Sequence, residues 1–307
     1  METGSVQEKQ KWLIYGGRGW IGTHFLKYIP ENKEIIHGKS RGDDYISLQT
    51  EITSIKPNRV ISFIGRTRAH QSIIDSTEDE REKMRIKTID WLEQNLEINL
   101  RDNFLSAINL QKITADLNIH FTHMSTGCIF SYFDNDPLEK IFDEDDLANF
   151  KGSSYSMVKG MADTFFHNCE NVLNVRFRLP ITYDLEDDKN LLCKLIKYKT
   201  INSTPNSVSV LSDILPEIVF RIESAATGTY NMTNPGYITH DEILALYKEI
   251  INPEHEYILL EDGPEKDRLN KCRSNCILKS SFGKCIPTAQ ESVRKIFESW
   301  KMKKTSE

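Results

Sequence analysis

The sequence predicts an α/β protein built on a doubly wound parallel sheet, with a smaller region at the C-terminal end. Three observations carry this prediction: an apolar strand that runs into a glycine-rich turn, further apolar runs separated by helical patterns, and a change of rhythm after Pro180. Strands that alternate with helices form βαβ units, and the strands of such units lie parallel in one sheet.

The first strand is predicted at Lys11–Tyr15, where the apolar run KWLIY is short enough to be a buried strand. A glycine cluster follows it, and a helix is expected over Trp20–Tyr28. The preceding residues 1–10 are polar and are predicted to be a disordered lead-in.

Further βαβ units are predicted along the next 150 residues or so of the chain, on the same apolar and helical patterns. The predicted strands are Glu34–His37, Arg59–Ile64, His120–Met124 and Val172–Phe177. The predicted helices are Trp91–Leu117 and Ser156–Asn168. The charge-dense segment Asp75–Arg85 between them is interpreted as a solvated loop or helix face.

After Pro180 the chain contains short segments rich in Asn, Pro and Ser, at 202–207 and 231–236. Helices are predicted at His240–Ile251 and within the C-terminal run SVRKIFESW. We interpret residues 181–307 as mainly a smaller substrate-binding region, with the chain crossing between it and the sheet.

Composition excludes several classes of function. The formal net charge of −6 gives no basic surface for nucleic acid. No apolar run is long enough to span a bilayer, and the N-terminus lacks a secretory signal.

The six scattered cysteines are not a disulfide framework, which favours a reducing, cytoplasmic location. Cys272, Cys276 and Cys285 are interpreted as incidental thiols, so no metal site is predicted.

The glycine-rich turn predicts a dinucleotide-binding site in residues 11–180, which makes the sheet a Rossmann-type one. Glycines fall at Gly16, Gly19 and Gly22. One makes the tight turn, one lets the backbone approach a pyrophosphate, and one lets the helix pack close to the sheet. The order strand, turn, helix is the context in which this motif is specific. The cofactor contacts predicted here are Gly16, Gly19, Trp20, Ile21, Gly22 and, at the third strand end, Gly65.

The residues after the second strand favour NADP(H) as the cofactor. NAD-specific sites place a carboxylate there to bind the ribose hydroxyls. This chain has Lys39, Ser40 and Arg41 at that place, and a guanidinium can bind a 2′-phosphate through two hydrogen bonds. Asp43 and Asp44 follow closely, so NAD stays open as an alternative.

A YxxxK pair, Tyr155 and Lys159, predicts the catalytic site. Positions four apart share one face of a helix, so the phenol and the ammonium meet, and Lys159 is expected to lower the tyrosine pKa. Tyr155 then passes a proton to a ketone oxygen as hydride arrives. Ser125 and Thr126 end a predicted strand at the cofactor crevice, where a hydroxyl can bind the same oxygen.

Several longer segments give the chain a family resemblance. IYGGRGWIG, STGCIF, FKGSSYSMVKG, VRFRLPI, PNSVSVL and YNMTNPGYITHDEI resemble extended short-chain dehydrogenase/reductases of the dTDP-4-dehydrorhamnose reductase group, above all the plant-type UDP-4-keto-6-deoxyglucose 3,5-epimerase/4-reductases. The resemblance implies that Thr126, Tyr155 and Lys159 are the reductase triad and that Asn190 contacts substrate. Ser125 is predicted to contact substrate from its place at the strand end. The charged stretch between Gly65 and Trp91 departs from the family as an insertion and should border the active site.

Cys128 raises the question of epimerisation. It lies two residues beyond Thr126, on the same side of the strand, so it can reach the same sugar. The resemblance, which extends to GDP-fucose synthase, implies an acid/base cysteine here and makes Lys194 its partner. The alternatives are a buried small hydrophobic residue at Cys128 and a solvated surface lysine at Lys194.

We therefore interpret the sequence as that of a bifunctional nucleotide-sugar enzyme. It would epimerise UDP-4-keto-6-deoxyglucose at carbons 3 and 5, then reduce carbon 4 with NADPH to give UDP-β-L-rhamnose. A 4-reductase without epimerase activity and a non-catalytic NADP-binding regulatory subunit are the alternatives. The sequence leaves open whether the nucleotide is UDP or dTDP, and whether the chain is a monomer or a homodimer.

Overall fold

Parallel strands form the centre of the computed structural model, which describes residues 9–133, 136, 140–283 and 285–306. The strands are β1 Gln10–Tyr15, β2 Lys33–His37, β3 Arg59–Ser62, β4 His120–Thr126, β5 Val172–Phe177, β6 Pro180–Ile181, β7 Thr200–Ile201, β8 Ser209–Val210, β9 Gly228–Asn231 and β10 Ile258–Leu259. Six of them make one sheet in the order β2-β1-β3-β4-β5-β9, with every neighbouring pair parallel. The predicted parallel sheet is confirmed.

Both faces of this sheet are covered, because alternate side chains of each strand point to opposite sides. In β1, Trp12 and Ile14 pack into one buried cluster, whereas Leu13 and Tyr15 pack into another. All four are at most 2% exposed. A strand buried on both faces has to be apolar throughout, which explains the uninterrupted run WLIY. This two-sided burial confirms the doubly wound fold.

The helices lie on these faces and in the C-terminal region. They are α1 Trp20–Phe25, α2 Tyr45–Ile55, α3 Gln71–Ser76, α4 Glu80–Ile86, α5 Leu96–Leu100, α6 Ser106–Asp116, α7 Ser154–Phe166, α8 Leu191–Lys197, α9 Leu211–Glu223, α10 His240–Ile250, α11 Pro264–Cys272 and α12 Ala289–Ser306. Short 3₁₀ turns add Leu26–Tyr28 and Ile89–Gln94. Across the described ranges, no helix combines the length and apolar character needed to cross a membrane.

Two predicted boundaries are corrected. The lead-in falls mostly on residues 1–8, which lie outside the described residues, but Gln10 already belongs to β1. The single helix predicted at Trp91–Leu117 is broken into a 3₁₀ turn, α5, a π-helical turn at Arg101–Leu105, and α6. Asn95 makes the first break: its backbone leaves the helical region, and its side chain donates to the Trp91 carbonyl at 2.8 Å.

The chain after Pro180 builds a second buried cluster and also returns to the sheet. Apolar residues of α8, α10 and α12, among them Leu192, Ile243 and Phe297, form the second cluster. By contrast, Ile214 and Ile218 of α9 pack against the main sheet, and β9 pairs with β5. The chain therefore crosses between the two parts.

The charged segment between Gly65 and Trp91 folds into α3, α4 and the 3₁₀ turn that follows. Its apolar residues Ile74, Ile86 and Trp91 pack in one cluster with Tyr155. Its charged residues from Asp75 to Arg81 are exposed. The charge density predicted as a solvated face is therefore the outer side of a segment whose inner side borders Tyr155.

Candidate active site

The glycine turn lies where β1 and β3 end side by side. The chain runs from β1 outward to β2 and then back to β3 on the other side of β1, so this is the point where strand order reverses and ligands bind in such sheets. Gly16 has φ of +69°, and a Cβ there would be 2.8 Å from the Phe63 carbonyl carbon. A Cβ on Gly22 would be 2.7 Å from Gly17 Cα. Only glycine fits either position.

A cleft of about 340 Å³ opens beside this turn. Of the predicted cofactor residues, Gly16, Gly19, Arg41 and Gly65 line it. Arg66, Arg101 and Ser106 line it too, and the sequence analysis did not identify them. The cleft therefore combines exposed backbone at the glycine turn with three guanidinium groups.

Two carboxylates hold these arginines in place. Arg41 donates to both oxygens of Asp43, each at 3.0 Å. Arg66 and Arg101 both bind Asp102, with Nε–Oδ distances of 2.5 and 2.7 Å. Burial opposes ionisation of Asp102, but the two guanidiniums outweigh it and hold its pKa below the ordinary value. Each arginine keeps N–H donors beyond the hydrogen bonds to its carboxylate.

Lys39 and Ser40 contact Glu51 and do not line the cleft that Arg41 lines. Their backbone N–H groups donate to the Glu51 carboxylate at 2.8 and 3.0 Å, and Tyr15 Oη donates to the same group at 2.9 Å. Neither residue lines the cleft. Glu51 thus fixes the loop that carries Arg41, while a cofactor contact by Lys39 or Ser40 stays a prediction.

The residues predicted for reduction meet where β4 ends and α7 begins. Ser153 caps α7 through the N–H of Ser156, which places Tyr155 in the first helical turn. The Thr126 hydroxyl hydrogen-bonds to Tyr155 and also accepts from the Cys128 N–H at 3.1 Å. Cys128 packs against the same cluster as Tyr155. Thr126, Cys128 and Tyr155 therefore share one site.

Lys159 is directed to the strand beneath Tyr155. Its Nζ lies 3.2 Å from His123 Nε2 and donates to the Met124 carbonyl at 3.4 Å. Burial lowers the pKa of Lys159 to about 8. The same burial, followed by the Lys159 charge, lowers the pKa of His123, so the imidazole is neutral and accepts from the ammonium.

The expected lowering of the tyrosine pKa is corrected by this structure. Burial raises the pKa of Tyr155, and the nearby Cys128 adds to the rise; the hydrogen bond from Thr126 and the charge of Arg178 oppose it without reversing it. Lys159 makes its hydrogen bonds to His123 and Met124 instead. The phenol is consequently neutral, which is the form that donates a proton.

A second cleft, of about 550 Å³, is lined by several more of the predicted residues. Trp20, Ile21, Gly65 and Lys194 line it. Four further cations line it as well: Arg66, Arg68, Lys87 and Lys189. Burial lowers the pKa of Lys194. Lys194 therefore lines a cationic cavity and is not a fully solvated surface lysine. Within the described residues, no hydrogen bond joins Lys194 to Cys128.

The two predicted substrate contacts have different surroundings. Ser125 Oγ is buried and has no hydrogen-bond partner within the described chain, so it can receive one from a ligand. Asn190 is fully buried; its side chain caps α8 and donates to the carbonyls of Thr182 and Asp184 at 2.9 and 2.7 Å. A substrate contact by Asn190 stays a prediction, since its amide already binds the chain.

Arg178 is a further residue that the sequence analysis did not single out. It follows β5 directly and donates to Cys128 Sγ at 2.6 Å. The signal was present, because Arg176 lies within the buried, largely apolar strand β5 and Arg178 directly follows it, and a buried arginine needs a specific partner. For Arg176 that partner is Asp163, at 2.6 Å.

Comparisons with known proteins find relatives that match most of the chain. No protein family model matches the chain. The mimivirus protein L780 is 38% identical over 275 residues, which is 88% of this chain and 90% of that protein. An Arabidopsis thaliana bifunctional dTDP-4-dehydrorhamnose 3,5-epimerase/dTDP-4-dehydrorhamnose reductase is 31% identical over 96% of this chain and 95% of its own.

Solved structures show the same fold. The crystal structure of the L780 UDP-rhamnose synthase from Acanthamoeba polyphaga mimivirus superposes with a TM-score of 0.83 at 35% identity, covering 94% of this chain and 99% of the other. A Bacillus anthracis dTDP-4-dehydrorhamnose reductase in complex with NADP gives a TM-score of 0.71 at 16% identity, covering 95% and 99%. This second likeness supports the fold alone.

Proposed function

This chain belongs to the dTDP-4-dehydrorhamnose reductase group of extended short-chain dehydrogenase/reductases, which includes the plant-type UDP-rhamnose-forming enzymes, and from that premise we propose that it is bifunctional. It epimerises UDP-4-keto-6-deoxyglucose at carbons 3 and 5 and then reduces carbon 4 with NADPH, giving UDP-β-L-rhamnose. The observation that carries the proposal is the shared site of Thr126, Cys128 and Tyr155. A 4-reductase alone needs the first and last of these residues but not the thiol between them.

NADP(H) fits the first cleft. The turn at Gly16 packs so closely against the Phe63 backbone that no Cβ fits, and a glycine turn of this kind at the end of β1 suits a pyrophosphate. Arg41 and Arg101 in the same cleft suit the 2′-phosphate that distinguishes NADP from NAD. When bound, the cofactor supplies the hydride for carbon 4.

The chain's own residues supply the proton. Tyr155 is neutral and donates to the ketone oxygen, while Thr126 donates a second hydrogen bond to the same oxygen. Lys159 is held by His123 and the Met124 carbonyl, so its role here is to fix β4 against the helix that carries Tyr155. The same pair of donors stabilises the enolate oxygen during epimerisation, because that oxygen occupies the place of the ketone.

Epimerisation needs a base on one face of the sugar and an acid on the other. Cys128 lies beside Tyr155 and acts on one face. Lys194 is in the second cleft, where its lowered pKa makes proton exchange at neutral pH easier. Arg68, Lys87 and Lys189 in the same cleft suit the diphosphate of the nucleotide.

Product analysis tests the proposal directly. The protein is incubated with UDP-4-keto-6-deoxyglucose and NADPH, and the product is identified by NMR, with the dTDP sugar in a parallel reaction. UDP-β-L-rhamnose supports the bifunctional enzyme. An unepimerised 6-deoxyhexose would instead indicate a 4-reductase, and cofactor binding without turnover would indicate a regulatory subunit.

Replacing Arg41 with alanine is expected to weaken NADPH binding by roughly 10- to 100-fold, since a hydrogen-bonded charge pair is removed. NADH binding should change little, because NADH has no 2′-phosphate. Fluorescence titration with each nucleotide measures both. Lys112→Ala removes a surface cation outside the cleft and serves as the control. An equal loss for both nucleotides would contradict the role given to Arg41.

Exposed apolar side chains on two adjacent helices favour a homodimer. Met157, Met161 and Phe165 repeat every four residues along α7 and are 44, 52 and 43% exposed. Leu96 and Leu100 of the neighbouring α5 are 52 and 45% exposed. Exposed apolar side chains grouped on two packed helices in this way favour an interaction site. We infer that a second copy of the chain covers it, with α7 packing on α7 about a two-fold axis.

Met161→Glu is expected to halve the molar mass measured by light scattering, because the interface would bury an unpaired carboxylate at its centre. Met84→Glu introduces the same charge at a methionine that is 60% exposed on α4, away from the proposed interface, and should leave the mass unchanged. A monomeric native protein, or a Met161→Glu variant that remains dimeric, would contradict the inference.

A further inference from the structure

A buried guanidinium contacts the thiol of the candidate active site. Arg178 Nη1 donates to Cys128 Sγ at 2.6 Å. The arginine is only 2% exposed, whereas Cys128 is partly exposed and packs beside Tyr155. The contact therefore joins a residue shielded from solvent to one that faces the reacting sugar in the proposed function.

Neutral groups fix the position of Arg178 without neutralising it. Nη2 donates to Asn206 Oδ1 and to the Ser274 carbonyl, and the backbone N–H of Arg178 donates to Ser209 Oγ at 2.9 Å. Asn206 is itself held, since its Oδ1 also accepts from the Cys276 N–H at 3.1 Å. These acceptors orient the guanidinium so that its other terminal nitrogen reaches Cys128.

A buried cation is costly unless a negative charge accompanies it. Within the described residues, no carboxylate forms an ion pair with Arg178. Burial disfavours the charged guanidinium, yet the pKa of Arg178 is raised, because the thiols of Cys128 and Cys276 and the Tyr132 phenol offset the burial. The counter-charge has to come from a group that can ionise near the guanidinium.

Most ionisable groups around Arg178 are held neutral. Burial raises the pKa values of Cys276, Tyr132 and Tyr155, and it lowers the pKa of His240. Cys276 is fully buried and donates its own S–H to the Gly127 carbonyl at 3.2 Å. Cys128 is the remaining acidic group in contact with the guanidinium.

We propose that Arg178 is the counterion of a Cys128 thiolate and positions that thiolate as the base of the epimerisation. The inference rests on the proposed function for its sugar chemistry. The sulphur accepts the proton from the sugar carbon, the electron pair of the C–H bond passes into the enolate, and Arg178 keeps its own proton. Lys194 is then the group that returns a proton on the opposite face. Arg178 is a positioning residue, because it acts through Cys128.

The thiolate can be measured without turnover. Its ultraviolet absorbance is recorded against pH, and the Cys128→Ser variant is subtracted from the native protein. One thiolate equivalent is expected at neutral pH. In Arg178→Gln the midpoint of this titration should move up by about 1 to 3 pH units, the usual effect of an opposite charge at contact distance. Arg178→Lys keeps the charge and should restore most of the native midpoint.

Alkylation with iodoacetamide gives an independent readout, since only the thiolate reacts. Peptide mass spectrometry follows Cys128 across the pH range, with the exposed Cys285 as the internal reference. The same shift is expected for Cys128 in Arg178→Gln, and none for Cys285. A merely structural role for Arg178 would leave the pH midpoint of Cys128 where it is.

The outcomes separate this inference from the proposed function. A native protein without a Cys128 thiolate at neutral pH, or an unchanged midpoint in Arg178→Gln, overturns the inference even if UDP-rhamnose is formed. A thiolate lost in Arg178→Gln supports the ion pair even if no sugar turns over, in which case the proposed function fails. Circular dichroism checks folding; should Arg178→Gln not fold, the native protein and Arg178→Lys still decide the question.

Discussion

Replacing Tyr155 with phenylalanine is expected to lower 4-keto reduction by about 100- to 10,000-fold, the usual effect of losing a general acid. The change removes one hydroxyl from a side chain in an apolar cluster with Ile74, Ile86 and Trp91, so the fold should survive. Because burial raises the pKa of Tyr155, the phenol is protonated throughout the neutral range and can serve as the donor. Thr126 cannot replace it, since an aliphatic hydroxyl is a far weaker acid.

Single-turnover oxidation of NADPH, followed by absorbance with an already epimerised 4-keto sugar, measures this step alone. Tyr237→Phe is the matched control, because Tyr237 is 42% exposed and outside the cluster of Tyr155. Native NADPH affinity in Tyr155→Phe would show that the cofactor site is intact. A near-native rate of reduction in that variant would mean that another group donates the proton.

The sequence patterns predicted the features that depend on residues close together along the chain. The strand Lys11–Tyr15, the turn at Gly16 and the pair Tyr155 and Lys159 are each specified within a few residues. Their order along the chain predicts that they meet, since parallel strands bring their carboxyl ends to one edge of the sheet. In the structure Gly16 lines the first cleft, whereas Tyr155 and Lys159 line neither of the two clefts, so the meeting stays a prediction. The strand alternation that predicted Cys128 on the side of Thr126 does not apply, because β4 ends at Thr126 and Cys128 lies in the turn that follows. Cys128 nevertheless packs against the cluster of Tyr155.

Contacts between distant segments were not predicted. Arg101 lines the first cleft and is the first residue of a π-helical turn at Arg101–Leu105, where the sequence pattern predicted a regular helix. The interaction expected between Lys159 and Tyr155 is also changed by a contact with a distant segment. His123, on β4, holds Lys159 from below, so the ammonium is not free to lower the tyrosine pKa in the way that helical spacing suggested.

The charged segment between Gly65 and Trp91 shows both a local pattern that was predicted and long-range contacts that were not. Its composition indicated only a solvated, charged segment. The helices α3 and α4 are too short for a repeating apolar pattern to show which face is buried. In the structure, Ile74, Ile86 and Trp91 pack in the cluster of Tyr155 and Cys128, while Arg68 and Lys87 line the second cleft. One segment therefore contributes both to the surroundings of Tyr155 and to the cationic cavity, which its charge-rich composition alone did not reveal.

Cys128→Ser should separate the two chemistries of the proposed function. Epimerisation has to precede reduction, because the ketone at carbon 4 is what acidifies the protons at carbons 3 and 5. A serine hydroxyl has nearly the size of the thiol but is a much poorer acid and base, so proton abstraction should slow by about 100-fold or more. Thr126 and Tyr155 remain in contact with each other, which leaves the reduction machinery in place.

The expected result in Cys128→Ser is a loss of solvent deuterium at carbons 3 and 5 while carbon 4 is still reduced. NMR of the product formed in deuterium oxide measures both, and the product should shift from the rhamnose to an unepimerised 6-deoxyhexose. Cys169→Ser, at a half-buried thiol near the far end of α7, is the matched control and should exchange at the native rate.

Native deuterium incorporation in Cys128→Ser would show that this cysteine is a packing residue and that a different base serves the sugar. Retained exchange at one carbon and loss at the other would assign Cys128 to a single centre, because each inversion requires its own proton abstraction.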